Sequence, residues 1–365
     1  MMSGLAHHFV TRVCWRGPRR DLGVADLKTN LKALASALGL SRTTVSRALN
    51  GYDDVSEATR QRVVEAAKAL GYQADPTARR LATGRADAIG IVYPFGAGDL
   101  GDPRFCEVVA GITEALGERD IDLIIASARP GAELETYRRL VEGRSVDGLI
   151  VARTRMDDER IVFLQERNFP FVAYGRTNST QPYWWFDFDN EAGARAATQR
   201  LIDFGHRRIA LISAPLAMTF AAQRREGFVS ALSDAGLAPL PELMIECRFD
   251  RAGGHDAAAA LLNLADPPTA LFVDNNLAGV GAFRAIVDSS RQPGRDISLI
   301  VYDGVPADVS HPYTVTAITQ PTGHASGRAI AELMLGAIEN RDRRAHRLVL
   351  PRIEPGDTDG PIHRP

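Results

Sequence analysis

The spacing of apolar residues near the start of the chain predicts three short helices. In the first helix an apolar stripe is formed by Leu31, Leu34, Ala35 and Leu38. Gly39 ends this helix, and Ser41 is a suitable N-cap for a second helix that runs to about Asn50. Ser56 begins a third helix, whose apolar face consists of Val63, Val64, Ala67 and Leu70.

The second helix has the composition of a helix that reads the major groove of DNA. Its inward positions are Val45, Ala48 and Leu49, and its outward face carries Arg42, Thr43, Ser46 and Arg47. A helix of about ten residues that follows a tight turn suits the major groove. Arginine can bond bidentately to guanine there, and a threonine methyl group can contact thymine. The alternative interpretation is a small helical bundle whose arginines form a solvated face.

A fourth, shorter helix is predicted after this bundle. Asp75 is a good N-cap and Pro76 suits the first helical position, so the pair is a strong helix start. The helix extends only to about Ala82, which is too short to be stable alone in water. Leu81 lies among arginines without an apolar core, and such a leucine can wedge between base steps in the minor groove. A frayed linker is the alternative.

From residue 88 onwards, short apolar runs alternate with helical stretches. The runs are IGIVY, DLIIASA, DGLIVA, FPFVAYG, RIALISA, TALFVD and ISLIVYD. They are continuous rather than alternating, which is typical of parallel strands buried on both faces. We therefore predict an α/β body with doubly wound parallel sheets, a fold that binds ligands at the carboxyl ends of its strands.

The chain divides into four predicted segments of different charge. They are an N-terminal extension at 1–26, a helix-turn-helix headpiece at 27–73, a hinge helix and linker at 74–87, and the α/β body at 88–365. Residues 27–87 carry ten Lys and Arg against six Asp and Glu, whereas residues 88–365 carry 29 against 37. A basic headpiece favours contact with phosphates, and an acidic body keeps nucleic acid away from a ligand cleft. The extension is either a disordered arm or the product of an upstream start codon.

The chain resembles the LacI (lactose-repressor) family of transcriptional regulators. Three motifs in the family's order carry the resemblance: LKALASALGLSRTTVSRALNG, VSEATRQRVVEAAKALGY and ARRLA. The resemblance extends from about Leu27 to about Leu350. It implies two lobes of the periplasmic-binding-protein type, one formed by about 88–186 with 317–350 and the other by 187–316. It also implies three crossings between the lobes, near Phe186–Asp189, near Thr316–Gln320 and close to the C-terminus.

The family resemblance assigns roles to residues of the headpiece and hinge. Arg42, Thr43 and Arg47 match the positions that read base edges, and Leu81 matches the leucine that intercalates at the centre of the operator. One departure is Ala74-Asp75, where the family usually has Pro-Asn, but Asp75 can still cap the hinge helix. The predicted DNA-contacting residues are Arg42, Thr43, Thr44, Ser46, Arg47, Asn50, Arg79, Leu81 and Ala82.

Polar groups at the ends of the predicted strands supply the candidate ligand contacts. The predicted effector-binding residues are Asp189, Arg224, Phe249, Asn275, Asp303 and Gln320. A carboxylate, amides, an arginine fork and an aromatic face suit a polyol, because sugars need bidentate hydrogen bonds and an apolar wall. Any one of these residues alone is more often a cap or a loop anchor than a ligand contact. The family's usual aspartate is absent at Asn276 and, relative to many sugar-binding members, at Gly175.

Other classes of function find little support in the sequence. A literal G-x-G-x-x-G runs from Gly96 to Gly101, but Asp102-Pro103 interrupts it and the acid that would hold a ribose is missing. We find no Walker A lysine, HExxH or G-x-S-x-G motif, and we predict no enzyme, cofactor or metal site. The three cysteines are widely spaced, which argues against a disulfide framework or zinc site and fits the cytoplasm. No apolar run approaches membrane-spanning length.

These observations lead to one prediction with several alternatives. The chain is predicted to be a cytoplasmic, homodimeric repressor that binds a palindromic double-stranded operator and responds to a small sugar. The segments YGRT and WFDFDNEAGAR are most similar to regulators of α-glucoside or related disaccharide uptake. A purine or sugar-phosphate co-repressor is one alternative, and a solute-binding protein of sugar transport is another. The tail after Leu350 lacks the leucine heptads of a tetramer.

Overall fold

The structure is a computed structural model of the 365-residue chain, and it describes residues 30–72, 84–93, 103–129, 131–321 and 323–362. The chain separates into two compact units, Met1–Gly84 and Arg85–Pro365. The predicted extension at 1–26 and the predicted hinge helix lie outside the described residues.

The first unit contains the three helices predicted for the headpiece. They are α1 (Leu31–Leu38), α2 (Arg42–Leu49) and α3 (Glu57–Ala69). Each begins at a side-chain cap, because Asn30, Ser41 and Ser56 accept hydrogen bonds from the backbone N–H three residues later. The apolar stripes meet in one core, in which the most deeply buried side chains are Leu34, Val45 and Val63. The helical pattern of the sequence is therefore confirmed.

The second unit contains two six-stranded sheets, and the first sheet is entirely parallel. Its strands are β1 (Ala88–Tyr93), β2 (Asp122–Ser127), β3 (Gly148–Val151), β4 (Phe171–Tyr174), β5 (Trp184–Phe188) and β11 (His346–Val349). They lie side by side in the order β11-β5-β4-β3-β1-β2. The apolar runs of β1 and β3 are buried on both faces, as parallel strands between two layers of helices require, whereas the edge strand β2 is partly exposed.

The second sheet has the same design with one antiparallel edge. Its strands are β6 (Ile209–Ser213), β7 (Met244–Glu246), β8 (Ala270–Val273), β9 (Ser298–Tyr302), β10 (Thr316–Thr319) and β12 (Arg352–Glu354). Their order is β12-β10-β9-β8-β6-β7, and only β12 among them runs antiparallel to its neighbour. The predicted doubly wound α/β class is thus confirmed.

Helices cover both faces of each sheet and complete the two lobes. Those of the first lobe are α4 (Pro103–Gly117), α5 (Glu133–Glu142), α6 (Glu159–Glu166) and α12 (Gly323–Glu339). Those of the second lobe are α7 (Asn190–Asp203), α8 (Thr219–Asp234), α9 (Arg251–Leu262), α10 (Asn276–Asp288) and α11 (Ala307–Ser310). Each sheet therefore has an apolar core on either side.

The chain crosses between the lobes at three places. The crossings follow β5, follow β10, and join β11 to β12. The division predicted from the sequence differs at the second crossing, since it assigned residues 317–350 to the first lobe. The strand β10 instead pairs with β9 in the second sheet, where Thr316 lies beside Ile300. The chain passes to the first lobe only after Gln320.

The C-terminal segment packs into the second lobe rather than forming a free polar tail. The side chain of Thr358 is fully buried, and its hydroxyl donates to the backbone oxygen of Leu299 at 2.8 Å. His206, which is also buried, has Nε2 3.1 Å from the backbone oxygen of Gly360. The polar composition of this segment gave no sign of its packing, because the segment is held in place by hydrogen bonds and not by apolar contacts.

Close contact between α4 and α12 depends on glycine. A Cβ atom at Gly111 would lie 2.0 Å from the backbone oxygen of His324, and one at Gly327 would lie 2.1 Å from that of Val108. Both neighbours are backbone atoms, which cannot move aside as a flexible side chain can. The two helices can therefore approach this closely only where the side chain is hydrogen.

We predict that Gly111→Ala destabilises the second unit. The added methyl group forces the two helices apart, and overpacking of this kind costs about 1–3 kcal/mol. Thermal unfolding of the purified protein should show a melting temperature lower by several degrees. Gly117→Ala in the same helix is the matched control, since a Cβ atom there meets nothing within 4 Å. Equal melting temperatures for the two variants would contradict the packing argument.

Candidate functional site

A cleft lies between the carboxyl ends of the two sheets. It contains about 950 Å³ of space outside protein atoms, part of it open to solvent. The first lobe contributes residues at or just beyond the ends of β1, β3, β4 and β5 and from α4. The second lobe contributes residues that follow β7, β8, β9 and β10 together with α8. This is the position at which α/β sheets bind ligands.

Five of the six predicted effector-binding residues line this cleft. They are Arg224, Phe249, Asn275, Asp303 and Gln320. Asp303 has a left-handed backbone with φ of 65°, and its N–H donates to the oxygen of Ile318 at 2.8 Å. This bond to the neighbouring strand fixes the position of Asp303 at the end of β9.

The sixth residue, Asp189, does not line the cleft. Its carboxylate accepts a hydrogen bond from the N–H of Ala192 at 3.0 Å and caps α7. The neighbours Asp187 and Asn190 line the cleft in its place. A sequence signal for this arrangement existed, because an aspartate directly before a helix is a preferred N-cap.

Arg224 is the most deeply buried charged group of the second-lobe wall. Its side chain is buried at the start of α8, where Nε donates to Asn190 Oδ1 at 2.9 Å and Nη1 donates to the backbone oxygen of Asp274. The guanidinium carbon lies 3.3 Å from the centroid of the Tyr302 ring and 4.8 Å from that of Phe220. The guanidinium plane is thereby fixed against an aromatic surface beside the cleft.

Asp274 lies behind this wall and is fully buried. Its two carboxylate oxygens are each 3.0 Å from the N–H of Ala214, and Asn275 Nδ2 donates to Oδ1 at 2.7 Å. Burial raises the pKa of Asp274 to about 6, although the charge of Arg224 acts in the opposite direction. The amide of Asn275 is fixed at both ends, because its Oδ1 accepts from the N–H of Ala278 at 2.8 Å.

Asp187 is the corresponding buried carboxylate of the first lobe. It accepts hydrogen bonds from Arg176 Nε at 2.8 Å and from Asn190 Nδ2 at 3.2 Å. Burial raises the pKa of Asp187, and the bond to Arg176 partly offsets this. A Cβ atom at Gly175 would lie 2.2 Å from Thr154 Oγ1, and the φ of 119° at this position is one that residues with side chains rarely adopt.

Aromatic rings from both lobes complete the cleft. The sequence singled out Phe249, and the structure adds Phe220, whose ring centroid lies 5.8 Å away. On the first lobe, the rings of Tyr93 and Phe105 lie 4.1 Å apart, and Tyr174 also faces the cleft. These rings come from strand ends, a loop and the first turns of two helices that are distant in sequence, so no local pattern identifies them as one set.

The candidate DNA-contacting residues of the first unit lie on α2 or next to it. Arg42, Thr43 and Arg47 are exposed on its outer face. Thr44 is half-buried, since its N–H and hydroxyl both contact the capping oxygen of Ser41. Asn50 donates to Ser46 Oγ at 3.3 Å. These contacts fix the start and end of the helix and leave the exposed face available.

Arg47 is already paired within the headpiece. Its Nη2 and Nε lie 2.7 and 3.0 Å from the two carboxylate oxygens of Asp54, and its guanidinium carbon lies 5.0 Å from the Tyr52 ring centroid. Both partners of this ion pair are about half exposed. Such a pair is weak, so it can orient Arg47 and still yield to a base or phosphate.

Several predictions concern residues that the structure does not describe. The hinge residues Arg79, Leu81 and Ala82 are among them, as is the whole segment from Gly96 to Gly101. Among the residues that are described, no group of three or more His, Cys, Asp or Glu side chains is placed to hold a metal ion. Within that same part of the chain, every helix is too short or too polar to cross a membrane.

A two-lobed α/β body with a cleft and a helix-turn-helix unit define a DNA-binding regulator that takes a small ligand, and comparison with known proteins agrees. The profile "Bacterial regulatory proteins, lacI family" matches residues 30–75, and the profile "Periplasmic binding proteins and sugar binding domain of LacI family" matches residues 86–353. The chain is 40% identical over 339 residues to the HTH-type transcriptional regulator RafR of Escherichia coli, which covers 92% of this chain and 99% of RafR. The protein belongs to the LacI family of bacterial transcriptional regulators.

Two solved structures place the fold in the same family. The complex of the transcriptional regulator CelR with cellobiose has a TM-score of 0.69 at 31% identity, covering 90% of this chain and 99% of that one. The Lac repressor dimer bound to operator and the anti-inducer ONPF has a TM-score of 0.77 at 25% identity, covering 91% and 99%. These relatives confirm the prediction of a regulator rather than an enzyme.

We predict that Asp274→Asn changes how stability depends on pH. In the unfolded chain this carboxyl group has an ordinary pKa near 3.9, whereas in the folded protein the proton is retained up to about pH 6. Stability of the wild type should therefore fall as pH rises from about 4 to about 6, by about 3 kcal/mol from this group. Asparagine cannot lose a proton, so the variant should show a shallower fall.

Urea unfolding of both proteins between pH 4 and pH 7 measures this difference. Asp187 remains in the variant, and its raised pKa also makes the folded protein less stable as pH rises. The loss of stability with pH should therefore be smaller in the variant, but not absent. Identical pH profiles would show that Asp274 is ionised throughout this range.

Proposed function

We propose that this LacI-family regulator is a repressor whose operator affinity is set by a small sugar in the cleft. The observation that carries the proposal is the combination of fixed polar groups and aromatic rings on the cleft walls. Arg224 and Asn275 are held by buried hydrogen bonds, and Phe220 and Phe249 lie beside them. Sugars are bound by such pairs of surfaces, because hydroxyl groups need planar hydrogen-bonding partners and the C–H face needs an apolar wall.

The arrangement of the rings favours a ligand of disaccharide size. One aromatic pair, Phe220 and Phe249, belongs to the second lobe, and another, Tyr93 and Phe105, belongs to the first. Phe105 in the first lobe and Phe249 in the second lobe then provide two separate aromatic surfaces against which two sugar rings can pack. CelR, a structural relative, was solved with cellobiose, and the similarity in sequence to α-glucoside regulators favours an α-linked sugar here.

The headpiece is proposed to read a palindromic operator as part of a homodimer. A helix with exposed Arg42, Thr43 and Arg47 can enter the major groove, and two-fold symmetry places two such helices in successive grooves. The structural relative solved on operator DNA is a dimer. In this proposal the hinge segments pair in the central minor groove, and Leu81 of each opens the middle base step.

Ligand and operator are coupled through the populations of two arrangements of the lobes. A sugar that favours one arrangement lowers operator affinity if the other arrangement is the one that binds DNA. Coupling of this type is about 1–3 kcal/mol in allosteric proteins. We propose that the sugar acts as an inducer. A co-repressor would bind in the same cleft but would raise the operator affinity instead of lowering it.

We predict that a disaccharide raises the melting temperature of the purified protein. Any ligand that binds only the folded state has this effect. A thermal-shift screen with mono- and disaccharides, sugar phosphates and purines identifies the class. A response to purines or sugar phosphates alone would overturn the sugar assignment and keep the regulator.

Asp303→Asn tests whether the response arises in the cleft. Asparagine tolerates the left-handed backbone of this position, so the variant should fold while losing a charged acceptor for hydroxyl groups. Sugar affinity should fall by about tenfold, the order of a hydrogen bond to a charged group. Asp266→Asn, at an ion pair on the surface of the second lobe, is the matched control. An unchanged dose response in Asp303→Asn would remove this residue from the site.

We predict that Arg42→Ala weakens binding to a selected operator by about 5- to 150-fold, the range for one base contact. Binding to a scrambled duplex should change little, since base contacts contribute only to specific binding. Fluorescence anisotropy with duplexes obtained by selection from random sequence measures both affinities. Arg62→Ala removes another exposed charge, from α3, and is the control. Equal losses on both duplexes would assign Arg42 to phosphate contact.

A further inference from the structure

A loop of the first lobe contacts the second lobe directly. This interlobe loop, residues 153–156, follows β3. The N–H and the hydroxyl of Thr219 donate to the backbone oxygen of Thr154 at 3.0 and 3.2 Å, and the N–H of Met156 donates to that of Ala217 at 3.3 Å. The lobes are therefore joined by hydrogen bonds in addition to the three covalent crossings.

The contact lies far from the crossings. In the first sheet β3 is two strands away from β5, where the chain crosses, and in the second sheet β6 is three strands away from β10. At about 4.8 Å per strand these separations are about 10 and 14 Å. The crossings act as the hinge of the cleft, so a contact at this distance resists opening more effectively than one beside them.

Arg153 extends the same contact into the cleft. Its guanidinium carbon lies 4.4 Å from the ring centroid of Tyr93 in its own lobe and 5.0 Å from that of Phe249 in the second lobe. All three side chains line the cleft. A cation attracted to a ring on each lobe favours one spacing between the lobes.

The backbone that carries Arg153 is held rigidly by the first lobe. The guanidinium group of Arg160 is buried, contacts Asp158 at 2.8 and 2.6 Å, and donates to the backbone oxygen of Arg153 at 3.0 Å. This bond fixes Arg153 in a left-handed conformation with φ of 51°, which a non-glycine residue adopts only when its surroundings impose it. Opening of the cleft must therefore separate Arg153 from Phe249 instead of moving the loop.

We propose that Arg153 is a positioning residue that couples occupation of the cleft to the spacing between the lobes. This inference rests on the proposed sugar site. A guanidinium with its faces near aromatic rings presents its N–H groups along the edge of its plane, and a sugar oxygen can accept from them beside or in place of their present partner. A sugar stacked on Phe249 can reach these donors only when the lobes are at the spacing seen here. Loss of Arg153 thus loosens the lobes in the sugar-free protein and weakens sugar binding.

Hydrogen exchange of the sugar-free, full-length protein tests the coupling without any ligand. The amides of Met156 and Thr219 report on interlobe hydrogen bonds. In Arg153→Met their exchange should be about fivefold faster than in the wild type, which is the order expected for loss of one cation–π contact. Arg153→Lys, which keeps the charge, should lie between the two. Amides within β3 should be unaffected.

Arg138→Met is the matched control, because it removes a cation–π contact with Phe163 that is confined to the first lobe. Unchanged exchange at Met156 and Thr219 in Arg153→Met would overturn the proposal. Equal acceleration in Arg138→Met would also overturn it, since the effect would then be a general loss of stability.

Sugar binding provides the second measurement, with maltose and cellobiose as probes. For whichever probe binds the wild type, Arg153→Met should raise Kd by about fivefold on the same scale, and Arg138→Met should leave it unchanged. Unaltered affinity in Arg153→Met would contradict the role in the cleft. If neither probe binds the wild type, the sugar assignment fails for these disaccharides, while hydrogen exchange still decides whether Arg153 holds the lobes together.

Discussion

The burial of one guanidinium group, that of Arg224, organises the wall of the ligand cleft. A buried charge is costly unless its donors are satisfied, and the three groups that satisfy this one come from different parts of the fold. Asn190 begins the helix after the first crossing, Asp274 directly follows β8, and Tyr302 lies on β9 beneath the guanidinium plane. The contacts of this one side chain thus connect the segment after the first crossing with the ends of two strands. The hydrogen-bonding groups that a ligand meets are fixed before it arrives, which reduces the cost of ordering them.

Part of this wall could be predicted from the sequence. Runs of continuous apolar residues predicted the parallel strands correctly. A strand that is buried on both faces has apolar side chains at successive positions and does not alternate between apolar and polar residues. Residues at the ends of those strands, such as Asp303 and Asn275, could therefore be placed in one cleft. Asp189 could not be separated from Asp187 in this way. Aspartate serves equally well as a helix cap and as a ligand contact, and only the direction of the backbone distinguishes the two.

Other features of the site and fold could not be predicted from the sequence, because they depend on contacts between segments that are distant in the chain. Arg153 and Phe249 meet only because the two sheets face each other, and their positions in the sequence carry no sign of this. The antiparallel strand β12 is short and polar and is stabilised by pairing with β10, with further hydrogen bonds at Thr358. Local sequence patterns report apolar burial well and report hydrogen bonding between distant segments poorly.

The contacts between the lobes limit how strongly the cleft can influence another site. A ligand shifts an equilibrium only by the difference in its affinity for the two states. Away from the crossings, the bonds at Thr154 and Met156 and the attraction between Arg153 and Phe249 are each modest in net free energy. In the proposed mechanism, contacts of this size leave the two arrangements of the lobes close in free energy. One sugar is then proposed to reverse their order through a few hydrogen bonds and one stacked ring, whereas a large apolar interface between the lobes would fix such a cleft in a single state.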